Sequence, residues 1–169
     1  MTADDVATAV QLACLLEAGA PKPGNVSPGR PFHDTSYEDF VASAAAIGPA
    51  FRAAGSQPLG ATILAAVEAT RRWTSANTNL GIILLCAPLA RAAAGGPARS
   101  LRARVRDVLA TTTVEDARQV YAAIRLAAPG GLGTSPDQDV QAEPTIPLAD
   151  TMALAAHRDV AMVAIIGSV

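Results

Sequence analysis

Two stretches of this chain forbid regular secondary structure: Pro21, Pro23, Gly24, Pro28, Gly29 and Pro31 punctuate residues 20–35, and Pro129, Gly130, Gly131, Gly133, Pro136, Pro144 and Pro147 punctuate residues 129–147. What surrounds them is helix-forming. Alanine supplies 38 of the 169 residues and aromatic residues only 4%. Alanine is the best helix former and a poor strand former. The expectation is an all-α fold: a single multi-helix, bundle-like domain over residues 1–169, of about seven helices, with two long loops. Loops of that length without secondary structure of their own are commonly functional.

Local signals place the helices. Thr2 with Asp5 resembles a capping box, Val6, Val10, Ala13 and Leu16 follow at helical spacing, and Gly19 marks the stop. Ser36 with Asp39 caps a second helix carrying Phe40, Val41, Ala44 and Ile47, broken by Gly48-Pro49. A third is expected over 59–74, with Ile63, Val67 and Thr70 on one face. Asn77-Thr78-Asn79 can cap a fourth over 80–94, apolar all round and so expected at the centre of the bundle. An arginine-rich helix over 99–110, another capped by Thr113 and Asp116 and running to about residue 128, and a last one from about Leu148 complete the set. Residues 160–166, at its end, have no polar face.

Composition excludes several classes. Half the residues are hydrophobic, 17% are charged and the mean hydropathy is +0.28, too apolar for a disordered chain. A net charge of -2 and a pI near 5.6 supply no bulk attraction for nucleic acid or an anionic membrane. Cys14 and Cys86 sit in apolar runs without metal-ligand spacing, as reduced core residues do. The start Met1-Thr2-Ala3-Asp4-Asp5 lacks the basic opening of a signal peptide, and the apolar run 80–90 is far short of the roughly 20 residues that span a bilayer. The chain is expected in the cytoplasm.

Chemistry is expected in the two loops and at the Asn-Thr-Asn corner. Lys22 is the single lysine beside 12 arginines, which suggests that a compact ammonium is required in that Pro-Lys-Pro-Gly loop, although an isolated surface lysine is ordinary. Glu17 stands at a helix C-terminus, where a cation is favoured; a metal ion or a proton would explain it, and so would plain solvent exposure. His33-Asp34 offers an acid–base or metal pair, or only turn chemistry. One of Asn77 and Asn79 is explained as a cap; both together suit a phosphate or a ribose hydroxyl at a helix N-terminus. The run Gly130-Gly131-Leu132-Gly133 is neither a Walker A loop nor a Rossmann fingerprint, and can approach a phosphate or simply end a helix. Asp137 and Asp139 have the chemistry for Mg²⁺ with substrate phosphates, or for a turn. From the residues alone, the chain is a helical domain whose two polar loops could meet over an anionic ligand.

The ordered strings carry more. Residues 17–27 (EAGAPKPGNVS), 36–40 (SYEDF), 77–81 (NTNLG) and 129–133 (PGGLG), followed by Asp139-Val140, together resemble the triphosphoribosyl-dephospho-CoA synthase family, over about residues 13–159. The resemblance implies an all-α cytoplasmic enzyme with two small-molecule substrates, ATP and dephospho-CoA. The 2'-hydroxyl of dephospho-CoA attacks C1' of the ATP ribose, adenine leaves, and the triphosphate stays on the transferred sugar. The product is the precursor of the prosthetic group on acyl carrier subunits of citrate lyase and malonate decarboxylase. On this resemblance Lys22, Gly24, Asn25, Asn77, Asn79, Gly130, Gly131 and Gly133 hold the nucleotide, and Glu17, Asp34 and Asp139 are the carboxylates for Mg²⁺ or for general-base catalysis. Charge compensation, a base and protonation of adenine are what such a transfer needs.

Two departures define the alternatives. Better-known members read Pro-Lys-Pro-Gly-Leu-Val-Asp and later Gly-Ala-His-x-Asp-Met, against Pro-Lys-Pro-Gly-Asn-Val-Ser and Pro31-Phe32-His33-Asp34-Thr35-Ser36 here. A related nucleotide-dependent transferase with another acceptor, such as a pterin, is therefore the alternative expectation. Members also continue further, so the chain resembles the N-terminal part of a longer catalytic domain. After Asp159 it reads Val160-Ala161-Met162-Val163-Ala164-Ile165-Ile166. An inactive truncated module that self-associates through this apolar segment is the remaining alternative.

Overall fold

A computed structural model describes residues 1–22, 25–96, 99–130 and 137–155 of the chain. In order, these form α1 (Ala3–Gly19), α2 (Tyr37–Ala46), α3 (Gly48–Arg52), α4 (Leu59–Arg71), α5 (Leu80–Ala94), α6 (Leu101–Ala110), α7 (Val114–Ala127) and α8 (Leu148–Ala155). Seven have eight residues or more, and the described residues contain no sheet. The protein is all-α and bundle-like, as its alanine content demands.

The caps act where the sequence puts them. The Thr2 hydroxyl accepts from the Asp5 N–H at 3.1 Å while the Asp5 carboxylate accepts from the Thr2 N–H at 2.8 Å. Thr113 and Asp116 repeat this at 3.1 and 2.9 Å, and the Ser36 N–H donates to Asp39 at 2.8 Å. Three boundaries differ from expectation. Helix α4 ends at Arg71 rather than at residue 74, and the Trp73 N–H closes on the Thr70 carbonyl at 2.9 Å in a tighter turn. The arginine-rich helix begins at Leu101, because the Ser100 hydroxyl accepts from the Ala103 N–H and makes Ser100 its cap. The break at Gly48-Pro49 lasts for one residue: Pro49 sits in the first turn of α3, where its missing N–H has no helical partner to lose, and α3 delivers Phe51 into the core at 0% exposed.

Alanine makes the interfaces thin. Ala44, Ala66, Ala87, Ala117 and Ala123 are each 0% exposed, so helices approach closely around Ile47, Phe51, Ile63 and Ile83. The most widely packed helix is α4, against α2, α3, α5 and α7. This corrects the expectation for α5, which packs on α1, α4 and α6 but leaves Leu89 exposed to solvent. Where α4 crosses α7, a Cβ on Gly60 would stand 2.6 Å from the Asp116 carbonyl oxygen; the Gly60 N–H donates to the Asp116 carboxylate at 2.8 Å. Among the described residues no helix is long and apolar enough to cross a membrane. The apolar segment 160–166 lies outside the described residues.

Candidate active site

Lys22 supplies the cation that α1 lacks. The last turn of α1 contains no basic residue, and its Glu17 stands against the helix dipole. The chain turns back after Ala20, and the Lys22 ammonium pairs with Glu17 Oε1 across the helix end. The two side chains are 41% and 38% exposed, so the pair contributes only about 0–1 kcal/mol and a polyanion can displace the carboxylate from the ammonium. Gly24 lies outside the described residues. Asn25 is half-buried, its N–H 3.3 Å from the Lys22 carbonyl oxygen. Val26 and Ser27, 1% and 2% exposed, plug the loop into the protein; the Ser27 and Arg30 backbones pair across a turn that Gly29 makes at φ +73°. Asp34 is exposed, accepts from the Thr35 hydroxyl at 3.2 Å and has His33 Nδ1 3.7 Å away.

The two asparagines before α5 have separate tasks. Asn77 is exposed and does the capping, its Oδ1 accepting from the Leu80 N–H at 3.3 Å. Asn79 is 6% exposed and turned inward, its Oδ1 accepting from the Thr70 hydroxyl at 3.3 Å. Its Nδ2 has no hydrogen-bond partner among the described residues. A buried amide donor left unmade costs about 1–3 kcal/mol, so this group is set to gain from a partner that the chain itself does not supply.

Around Asn79 runs a seam of hydroxyls that the sequence reading missed. The Thr78 hydroxyl donates to Ser43 Oγ at 2.6 Å, and Ser43 Oγ donates to the Asp39 carbonyl at 2.6 Å. The Ser36 N–H, with the Thr74 and Ser36 hydroxyls, holds the Asp39 carboxyl below the ordinary carboxylate range against a smaller opposing effect of burial. Ser43, Thr70, Thr74 and Thr78 are all buried and tie α2 to the end of α4 and the start of α5. A signal existed: hydroxyl residues on the buried faces of alanine-rich helices, where alanine would serve packing alone.

The second loop returns along α7. Ala128 ends that helix in the left-handed region at φ 46°, and Gly130 follows it, exposed; Gly131 and Gly133 lie outside the described residues. Asp139 lies in a turn against α7, its Oδ1 accepting from the Gln141 N–H at 2.8 Å. Nearby, the buried Tyr121 hydroxyl donates to the Gln138 carbonyl. Burial, and to a lesser extent the Asp139 charge, raise the Tyr121 phenol above its ordinary value, with a Thr151 hydrogen bond opposing them.

The described bonds thus put the expected residues in three groups: Lys22 with Glu17 after α1, Asn79 in the seam before α5, and Asp139 beside α7. Helix α1 packs on α2 and α5, and α4 joins α5 to α7. Among the described residues no three His, Cys, Asp or Glu side chains form a group able to hold a metal ion, so Glu17, Asp34 and Asp139 make no cage. Mg²⁺ needs less than a cage: it keeps waters and takes one or two carboxylates together with substrate phosphates. The exposed Asp34 carboxylate fits that limited role.

Among known proteins, the chain is similar to the CitG family, described as ATP:dephospho-CoA triphosphoribosyl transferase, whose family model matches residues 3–165. No curated protein and no solved structure matches it.

Proposed function

The chain belongs to the ATP:dephospho-CoA triphosphoribosyl transferase family, which makes it an enzyme of the transferase class, and from that premise we propose that it moves the triphosphoribosyl group of ATP onto the 2'-hydroxyl of 3'-dephospho-CoA with release of adenine. The match over residues 3–165 carries the reading. In the proposed reaction the hydroxyl oxygen bonds to C1' as the bond from C1' to N9 of adenine breaks. The electron pair leaves with adenine, and the hydroxyl proton ends, over the whole reaction, on adenine. The product would be the prosthetic-group precursor for an acyl carrier protein.

The residues divide as follows. Lys22 exchanges Glu17 for a phosphate oxygen, and Glu17 keeps the ammonium aimed until the nucleotide arrives. The unpartnered Nδ2 of Asn79 supports a ligand acceptor at the start of α5, where the free N–H groups of the helix also favour an anion. Asn25, Asn77 and the backbone of Gly24, Gly130, Gly131 and Gly133 complete the nucleotide cradle. Asp34 is the residue to hold Mg²⁺, which would neutralise triphosphate charge when bound. Asp139 takes the proton of the acceptor hydroxyl.

One observation favours a second acceptor. Ser27, which stands where better-known members have Asp, is 2% exposed with its backbone N–H and carbonyl committed to Arg30. Its side chain offers no carboxylate for a substrate. Incubation with ATP, Mg²⁺ and dephospho-CoA, followed by mass spectrometry, decides between the readings. Free adenine with the triphosphoribosyl adduct is the expected result. ATP binding without adenine release would instead point to a different acceptor or to an inactive module, which a screen of other acceptors separates.

A further inference from the structure

Tyr121 and Arg125 stand one turn apart on one face of α7. The Tyr121 hydroxyl donates to the Gln138 carbonyl at 2.6 Å, and Arg125 Nη1 donates to the Val140 carbonyl at 2.6 Å. These are the residues immediately before and after Asp139. Gln138 is held at φ 49°, left-handed backbone that a residue with a side chain rarely adopts. Its amide closes a bracket on Thr145: Nε2 donates to Oγ1 at 2.9 Å, and Oε1 accepts from the Thr145 N–H at 3.1 Å. On the far side the Asp139 carbonyl accepts from the Ala142 N–H at 2.9 Å. Backbone in a sparsely populated conformation persists only where its surroundings over-determine it, and such places cluster at functional sites.

The other two carboxylates lack this treatment. Glu17 is paired with Lys22, and Asp34 lies exposed with a single hydroxyl donor from its neighbour. Of the two carboxylates that lie in loops, only Asp139 has a carbonyl of each neighbouring residue held by a helix side chain. We infer that Tyr121 and Arg125 are positioning residues that hold the Asp139 carboxylate for proton transfer from the acceptor hydroxyl, an inference that rests on the role proposed above for Asp139. A general base must lie within hydrogen-bond reach of its proton, and a misplacement of about 1 Å can cost about 100-fold in rate. Gripping the carbonyls on either side places the carboxylate through the backbone, while the Gln141 N–H bond to Oδ1 sets its rotation.

The test measures kcat and KM for ATP by adenine release in Tyr121→Phe, Arg125→Met, Arg125→Lys and Asp139→Asn. Hydrogen exchange over residues 137–147 and the helical signal are recorded alongside. Tyr121→Phe and Arg125→Met are expected to lower kcat about 10- to 100-fold with KM for ATP unchanged and faster exchange at 138–142. Arg125→Lys, which still offers Val140 a donor, is expected to recover much of the loss, and Asp139→Asn to lose more than either clamp variant. If Tyr121→Phe weakens the helical signal, the Arg125 pair carries the comparison. Wild-type kcat in both clamp variants, with Asp139→Asn inactive, overturns the positioning role and leaves Asp139 as the base. Wild-type kcat in Asp139→Asn overturns the assignment of the base and the inference with it. No adenine from the wild-type chain with any acceptor sinks the transferase reading, and the inference falls with it.

Discussion

Lys22 shows how far a single residue can be read before its surroundings are known. Its rarity beside 12 arginines marked it, and its pairing with Glu17 explains both at once. Lys22→Ala is expected to weaken ATP binding by about 10- to 100-fold, the worth of one charge-assisted hydrogen bond, with the helical signal intact; titration calorimetry measures it. Unchanged affinity would remove Lys22 from the nucleotide site. Cys14 makes a prediction of the opposite kind. Burial first, then the nearby Cys86 and Glu17, push its thiol up to about 12 from an ordinary 9.0, so the folded state keeps the proton that the unfolded chain gives up. The stability this represents is complete below about pH 9 and is lost as pH rises toward about 12. Thermal midpoints between pH 8 and pH 11 are therefore expected to fall more steeply in the wild type than in Cys14→Ala. Parallel curves would refute the assignment.

At the level of the element, the caps decide where helices begin. Asp39 closes the start of α2 on the Ser36 N–H and also touches Thr74, which links the cap to the hydroxyl seam. Its carboxyl titrates below the ordinary 3.8 in the fold, so its stabilisation is present above about pH 4 and is lost as pH falls through the lowered value. Asp39→Ala is expected to cost about 1 kcal/mol at pH 7, and the gap from the wild type should narrow as pH falls below the ordinary carboxylate range; urea titrations at neutral and at acid pH check both. A gap that persists at low pH would mean that the carboxylate is not the stabilising group. The cap was legible because its partners lie three residues apart. The contact with Thr74 was not, because it depends on how α2 lies against α4.

For the whole molecule, the junction of α4 and α7 is the joint around which the helices are arranged. Gly60 is needed there because the Asp116 backbone occupies the space that a side chain would fill. Gly60→Ala is expected to destabilise the fold by about 1–3 kcal/mol through overpacking, read as a lower urea midpoint with an unchanged slope. A neutral result would show that the two helices separate freely. The same joint connects the part of the protein that holds Asn79 to the part that holds Asp139, since α4 packs on both α5 and α7. Loosening it is therefore also a test of whether the two groups act on one substrate.

The described helices and their caps were determined by the sequence itself, because capping boxes and alanine act within about one helical turn. The ordered strings at residues 17–27, 77–81 and 129–133 carried the family as well. Which polar groups are buried together was decided only by tertiary structure. Asn77 and Asn79 look alike in the sequence, yet one caps α5 from the surface and the other turns toward Thr70 with an unpartnered Nδ2. Ser43 meets Thr78, and Tyr121 meets Gln138, across 35 and 17 residues of chain. No local pattern encodes such pairs, because they form only when packing brings distant helix faces together and removes the water that would otherwise have satisfied them.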